Sequence, residues 1–316
     1  MKGKIRIGTR GSKLALWQAY YVEGLLQKRG IETEIVTIET KGDKILDVSI
    51  SKIGSKGVFT QEIEDQLKFR NIDIAVHSAK DMQSELPEGF EIIAFSEREK
   101  ENDVFVSHNK NISFDDGNVW RIGTSSTRRV AMLRHFYPHL KTVEMRGNLQ
   151  TRIKKMESGD CDVLMLAYAG VYRMGYLEMI LKILPLDKFT PAVGQGSIAI
   201  ECSGSLEDWK RSIVREAVNH QPTEYRLLAE RSYLKKLQGG CSIPVFAIAE
   251  LEEAGLKISG GLISLDGSKA IRKSYQGSLD QAAQLGHDLG NAVLEDGGKE
   301  MLDQIKRDIK EKTFYI

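Results

Sequence analysis

Four residues recur in this chain, Arg6-Ile7-Gly8-Thr9 and Arg121-Ile122-Gly123-Thr124, and each copy ends a short apolar run ahead of small hydroxylated residues, arginine and an amphipathic segment. Four matching residues alone carry little weight, but the shared context makes a weak internal repeat: strand, turn and helix, used twice. In the first copy residues 5–8 read as a strand, and Ser12 caps a helix whose apolar face is Leu14, Trp17, Tyr21 and Leu25. In the second copy a helix is expected over 127–136 and a buried strand over 162–166. Residues 34–39 and 71–77 read as further strands, with Phe59, Ile63 and Leu67 marking one helix face between them. Strands alternating with helices predict α/β layers with parallel strands, and two such units face each other across a cleft.

Past residue 218 the pattern changes. A helix over 223–237 ends at Gly239-Gly240, strands follow over 245–249, 256–263 and 270–276, Asp266-Gly267 marks the turn between the last two, and helices are expected over 280–294 and 299–310. This reads as a third, smaller α+β unit, and 316 residues suit two or three such units.

Composition narrows the function classes. With 41% hydrophobic and 28% charged residues the chain is of the globular kind, and no stretch is long and apolar enough to span a bilayer. Met1-Lys2-Gly3-Lys4 passes straight into Ile5-Arg6-Ile7, so no signal core is expected and the cytoplasm is the expected compartment. Cysteines at 161, 202 and 241 are odd in number and widely spaced, which argues against a disulfide framework and a paired-thiol zinc site; no metal is expected. A formal net charge of +1 argues against a nucleic-acid partner, so anion binding has to come from local clusters.

Such clusters are present. Arg10, Lys56, Lys80, Arg128, Arg129, Arg146 and Arg152 fall at expected turns, where sites are built. Thr9, Ser12, Thr124, Ser125 and Ser126 stand at helix starts beside arginines, where free amides and the helix dipole favour anions. Each arginine taken singly fits equally well as an ion-pair partner of the 44 acidic residues. Asp81, in His77-Ser78-Ala79-Lys80-Asp81, follows a strand end; a carboxylate there stabilises a cation developing on a substrate or handles a proton on a leaving amine. On the residue alone, a pairing with Lys80 or a helix cap explains Asp81 more readily, and His77 reads as a packed strand residue. Cys241 falls on a loop, whereas Cys161 and Cys202 lie in or beside apolar runs and read as buried. Residues 40–57 form a long connection that fits a lid and a plain loop equally, and neither 8–13 nor 54–60 has the ending of a mononucleotide loop.

Taken together and in order, GTRGSKLALWQ at 8–18, KGDKILD at 41–47, SKIGSKGVFTQEIE at 51–64, DIAVHSAKD at 73–81, GTSSTRR at 123–129, RGNLQTR at 146–152, PAVGQG at 191–196 and GGCSIP at 239–244 resemble the porphobilinogen deaminases, or hydroxymethylbilane synthases, along nearly the whole chain. The resemblance implies two lobes like those of type II periplasmic binding proteins, with parallel-rich mixed sheets around a cleft, plus a smaller C-terminal α+β domain with an antiparallel three-stranded sheet. The implied domains are 1–97 with 197–217, 98–196, and 218–316. The implied activity is the stepwise condensation of four porphobilinogen molecules, with loss of ammonia, onto a dipyrromethane held by a thioether to Cys241, then hydrolytic release of hydroxymethylbilane.

By the same resemblance Asp81 is catalytic and Arg10 assists protonation. The carboxylates of cofactor and substrate fall to Arg10, Ser12, Lys56, Ser78, Lys80, Thr124, Ser125, Ser126, Arg128, Arg129, Arg146, Gly147, Arg152, Arg173 and Gln195, and Phe59 closes over the rings. A monomer with no nucleic-acid or membrane partner is implied. Three departures stand out: Gln83 where the family commonly has proline, Lys100-Glu101-Asn102-Asp103 for Asp-Pro-Arg-Asp, and Lys41 for a frequent arginine. The competing reading is a non-catalytic small-anion binding protein on the same bilobal fold.

Overall fold

The computed structural model describes residues 3–40, 60–115, 117–240, 242–253 and 255–314. Lys56, Phe59 and Cys241 lie outside the described residues, as does the connection over 40–57 beyond Thr40, with its lid and loop readings.

Two five-stranded sheets carry the first two thirds of the chain. The first contains β1 (Lys4–Arg10), β2 (Glu32–Ile38), β3 (Ile74–Ser78), β4 (Phe90–Phe95) and β10 (Ile198–Ser203), in the order β2-β1-β3-β10-β4. The second contains β5 (Asp103–Val106), β6 (Arg121–Gly123), β7 (Lys141–Val143), β8 (Val163–Ala167) and β9 (Ile180–Ile183), in the order β7-β6-β8-β5-β9. In each sheet three neighbouring strands run parallel, and the fourth is antiparallel to both of its neighbours. That fourth strand is the first the chain forms on arriving from the other lobe, so the lobes are linked by two crossings, over 96–102 and 184–197.

The repeated tetrapeptide has a physical reason in both lobes. Arg6 and Arg121 each grip an aspartate that leads into the next parallel strand. Arg6 donates from its backbone N, Nε and Nη2 to Asp73 at 2.7, 3.2 and 3.0 Å, and Arg121 does the same to Asp162 at 2.8, 3.2 and 2.8 Å. Ile7 and Ile122 are fully buried. Gly8 and Gly123 permit close packing, since a Cβ would lie 2.3 Å from Ile72 Cδ1 in one case and 2.7 Å from Cys161 Sγ in the other. The helix after each copy starts on a serine: Ser12 Oγ accepts from Ala15 N at 3.3 Å for Lys13–Gln27, and Ser126 Oγ from Arg129 N at 3.5 Å for Thr127–Phe136.

Apolar faces of these helices close the layers. Ala19, Val22 and Leu26 pack on Ile5, Ile7, Ile74 and Val76, and Ala131, Met132 and Leu133 pack with Phe105, Ile122, Val163 and Met165. Each large side chain so buried contributes about 1.5–3 kcal/mol. The helix expected around Ile63 and Leu67 is Gln61–Lys68, with both residues buried.

The third sheet is an antiparallel meander of β11 (Val245–Glu252), β12 (Gly255–Ile263) and β13 (Ala270–Gly277), with Gly267 at φ +77° in the turn before β13. Helices Gln221–Lys236 and Ala282–Val293 cover one face, and fully buried Tyr233 donates its hydroxyl to Gly261 O at 2.7 Å. The first of these helices ends otherwise than the glycine pair implies: Gln238 takes the left-handed conformation (φ +50°). Gly239 lies close against that helix, a Cβ there falling 2.6 Å from Leu234 Cδ1.

The three sheets meet at a buried junction. Arg98, in the first crossing, forms two bonds with Glu230 at 2.6 and 3.1 Å, and Glu230 also accepts from Gly194 N at 2.9 Å and Ala249 N at 2.8 Å. The carboxylate thus ties both crossings to the C-terminal unit.

Candidate active site

Strand ends of the two lobes deliver the site. In the first lobe β1 ends at Arg10, which is half-buried, and β3 ends at Ser78, whose hydroxyl is 2.9 Å from Gln18 Nε2. A single 3₁₀ turn, Ala79–Asp81, follows β3 and presents Lys80 and Asp81. Asp81 is exposed, and among the described residues no hydrogen bond or ion pair holds its carboxylate. Lys80 is half-buried with protein dense around its ammonium, and this desolvation pushes its pKa down to about 8 against the opposing pull of Asp81. Its ammonium reaches Gln195 Oε1 at 3.5 Å.

The second lobe contributes Arg128 and Arg129 from the first turn of Thr127–Phe136. Both are buried, and both already hold a carboxylate, that of Asp103 at the start of β5: Arg128 Nη2 at 2.8 Å from Oδ2, and Arg129 Nη2 at 2.7 Å from Oδ1. Gln195 Nε2 adds a bond to Asp103 Oδ1 at 3.0 Å, while Gln195 Oε1 lies 3.5 Å from Arg129 Nη2. Burial alone would push the Asp103 carboxyl up, but the two guanidinium charges and these hydrogen bonds hold it well below the usual carboxylate range. Buried Gln195 therefore joins Lys80 of one lobe to Arg129 and Asp103 of the other.

Arg152 stands on helix Leu149–Glu157, capped by Asn148, and donates from Nε to Gly147 O at 2.8 Å. Gly147 has φ +109°, and a Cβ there would lie 2.7 Å from Thr151 Cγ2, so this turn admits glycine alone without strain. Burial pushes the Arg152 pKa down to about 10, with Arg129 and Arg146 pressing the same way and Asp81 opposing. Asp81 thus acts electrostatically on one cation from each lobe.

Arg146 pairs with Glu144 at 2.5 Å, and Arg173 donates to Gly196 O at 2.6 Å while its guanidinium lies 5.4 Å from the Trp17 ring of the first lobe. Thr124 is buried and accepts from Ser126 N at 3.3 Å; Ser125 is exposed. Ser78, Lys80 and Arg173 line one slot of about 30 Å³ with Leu14, Gln18 and Gly196.

The structure therefore brings Ser78, Lys80, Arg128, Arg129, Arg173 and Gln195 into one interlobe cluster. Ser12 and Ser126 serve as helix caps, and Arg128, Arg129 and Arg146 are ion-paired as the simpler reading allowed. Cys161 and Cys202 are buried and their thiols are pushed up to about 11, chiefly by desolvation. His77 is a packed strand residue, 3.0 Å from Glu201.

Asp103 escaped the sequence reading, although it is the last residue of the altered 100–103 run and the one that run shares with Asp-Pro-Arg-Asp. The run has its own contacts: Glu101 accepts from Arg226, and Asn102 Nδ2 donates to Leu184 O at 2.9 Å. Among the described residues no helix is long and apolar enough to cross a membrane, and no group of three or more His, Cys, Asp or Glu is placed to hold a metal ion.

Two α/β lobes joined by two crossings, with a cation-rich junction and an exposed carboxylate, define a bilobal α/β protein. The family model described as "Porphobilinogen deaminase, dipyromethane cofactor binding domain" matches residues 5–211, and that described as "Porphobilinogen deaminase, C-terminal domain" matches 225–295. The chain is 53% identical over 305 residues to the porphobilinogen deaminase of Desulfosudis oleivorans, covering 96% of this chain and 98% of that one. It is 52% identical over 307 residues to that of Cytophaga hutchinsonii, covering 97% and 98%. Among solved structures, the Bordetella pertussis BvgS periplasmic VFT2 domain aligns over 68% of this chain and 85% of its own at 17% identity, with a TM-score of 0.41. The chain belongs to the porphobilinogen deaminase family, and membership sets aside the non-catalytic alternative.

Proposed function

We propose that this chain converts four porphobilinogen molecules into hydroxymethylbilane, with a dipyrromethane carried on Cys241 and Asp81 as the catalytic carboxylate. The observation that carries the site assignment is that Asp81 stands exposed within electrostatic reach of Lys80 from its own lobe and Arg152 from the other.

A dipyrromethane bearing acetate and propionate groups needs cationic donors with capacity to spare, and the residues fit. Arg128 Nε is buried with no hydrogen-bond partner among the described residues, Arg152 spends its Nε on a backbone carbonyl, and Lys80 bonds a neutral amide oxygen. When bound, the dipyrromethane supplies the free pyrrole carbon from which the chain grows. Lys80, Arg128, Arg129, Arg146, Arg152 and Arg173 hold carboxylates, with Ser12, Ser78, Thr124, Ser125, Ser126, Gly147 and Gln195 shaping the turns and adding donors; Lys56 belongs to the same set. Asp81 accepts the substrate pyrrole N–H and offsets the positive charge left on the substrate when ammonia departs, while Arg10 assists protonation of the leaving amine. Phe59 shields the reacting rings from water.

The domains of this reading are 1–97 with 197–217, 98–196 and 218–316, the first two joined by the two crossings. The protein works as a cytoplasmic monomer without nucleic acid.

Replacing Asp81 with asparagine preserves shape and removes the charge. Turnover of porphobilinogen should fall by at least about 10²–10³-fold with the circular dichroism spectrum unchanged. Turnover within a few fold of the unsubstituted enzyme removes Asp81 from the mechanism.

A further inference from the structure

The turn that carries Asp81 is short, three residues of 3₁₀ helix, and Met82 and Gln83 lead the chain out of it. Gln83 stands where the family's common proline would restrain the backbone, and here its side chain supplies a different restraint. Nε2 donates to Thr60 Oγ1 at 3.0 Å and to Glu64 Oε1 at 3.2 Å, so one amide bridges two side chains of the first lobe. Thr60 and Glu64 are both buried. Thr60 precedes helix Gln61–Lys68 without capping it through its side chain, and its hydroxyl oxygen accepts from Gln83 instead.

The backbone of the same residue is held from another direction. Arg231, on helix Gln221–Lys236, donates from Nη2 to Gln83 O at 2.8 Å, and Lys235 of that helix pairs with Glu85 at 2.9 Å. That helix leads directly into the segment containing Cys241. Gln83 is therefore clamped on its side chain by the first lobe and on its carbonyl by the C-terminal unit, two residues from Asp81.

We propose that Gln83 is a positioning residue for the Asp81 carboxylate, its amide bracket to Thr60 and Glu64 doing for this chain what a proline ring does by fixing φ. The inference rests on the assignment of Asp81 as the catalytic carboxylate. Two features of the backbone admit proline at 83: Met82 has φ −72° and ψ 142°, the extended conformation favoured before proline, and among the described residues the Gln83 N–H donates to no backbone carbonyl. Alanine at 83 loses the bracket and gains no ring.

The test uses purified holoenzyme of Gln83→Ala, Gln83→Pro and Asp81→Asn, with the mass of the bound two-pyrrole group verified in each. Gln83→Ala should lower kcat about tenfold and leave KM for porphobilinogen within twofold, because the substrate's carboxylate contacts lie elsewhere. Gln83→Pro should restore kcat to within about threefold of the parent, a recovery that general loss of packing cannot produce. If Asp81→Asn abolishes turnover while Gln83→Ala keeps the parental kcat, or while Gln83→Pro is as slow as Gln83→Ala, the bracket does not position the carboxylate. Full turnover in Asp81→Asn overturns the underlying assignment and the inference with it.

Discussion

Asp103 is the carboxylate on which the interlobe cluster is balanced, and its replacement by asparagine has a calculable cost. Its side chain is wholly buried and meets two guanidinium groups, Arg128 at 2.8 Å and Arg129 at 2.7 Å, plus the Gln195 amide at 3.0 Å. Asparagine keeps the volume but leaves two buried cations facing each other, and it places an amide N–H₂ where only an acceptor is wanted. Removing one partner of a buried pair costs about 3–5 kcal/mol. Urea unfolding followed by tryptophan fluorescence should show a loss of that size at pH 7.

The pH dependence supplies a second, independent check. The Asp103 pKa is depressed in the folded state, so its stabilisation is complete above the unfolded value of about 4 and is lost as pH falls from there through the folded value. The gap between parent and Asp103→Asn should therefore be constant from pH 8 to 5 and shrink below about 4. A loss under about 1 kcal/mol, the range of a surface pair, would refute the reasoning; so would a gap that is already closing between pH 7 and 6.

Three further outcomes follow from the same geometry. In Cys241→Ser, which lacks the dipyrromethane carboxylates, Lys80 should shed its proton as pH rises through about 8 in an NMR titration of its ammonium; a midpoint near the ordinary lysine value of about 10 would mean that burial does not act on it. Arg146→Leu should slow chain elongation or primer assembly more than it lowers stability, and unchanged elongation kinetics would count against carboxylate binding by Arg146. Glu230→Gln replaces an acceptor of four hydrogen bonds at the three-sheet junction and should cost about 3–5 kcal/mol in urea unfolding, whereas a cost near zero would mean the junction carries no load.

What could be read from the sequence was what is local. Strand, serine cap and helix are specified within a dozen residues, so the β1 and β6 units were visible, as was the meander with its Asp266-Gly267 turn. The antiparallel β5 and β10 were not visible from periodicity, because each is a short buried run that pairs with strands far away in the chain. Asp73, Asp162, Asp103 and Glu230 went unnoticed for the same reason. Each is a lone acid whose meaning lies in an arginine 67, 41, 26 or 132 residues distant. The arginines themselves were found, but their spending on Asp103 and Glu144 is a fact of packing that turn position does not convey. Family motifs marked Asp81 and Cys241, which composition and spacing left as a cap and a loop thiol. They could not describe Gln83, since a departure from a motif shows its use only when its neighbours are known.

The central claim is covalent, and intact mass spectrometry of the purified, denatured protein tests it most directly. The account predicts a mass above that of the bare polypeptide by one two-pyrrole unit, and the bare polypeptide mass in Cys241→Ser. Active enzyme with an unmodified mass, or an adduct that persists in Cys241→Ser, would contradict it.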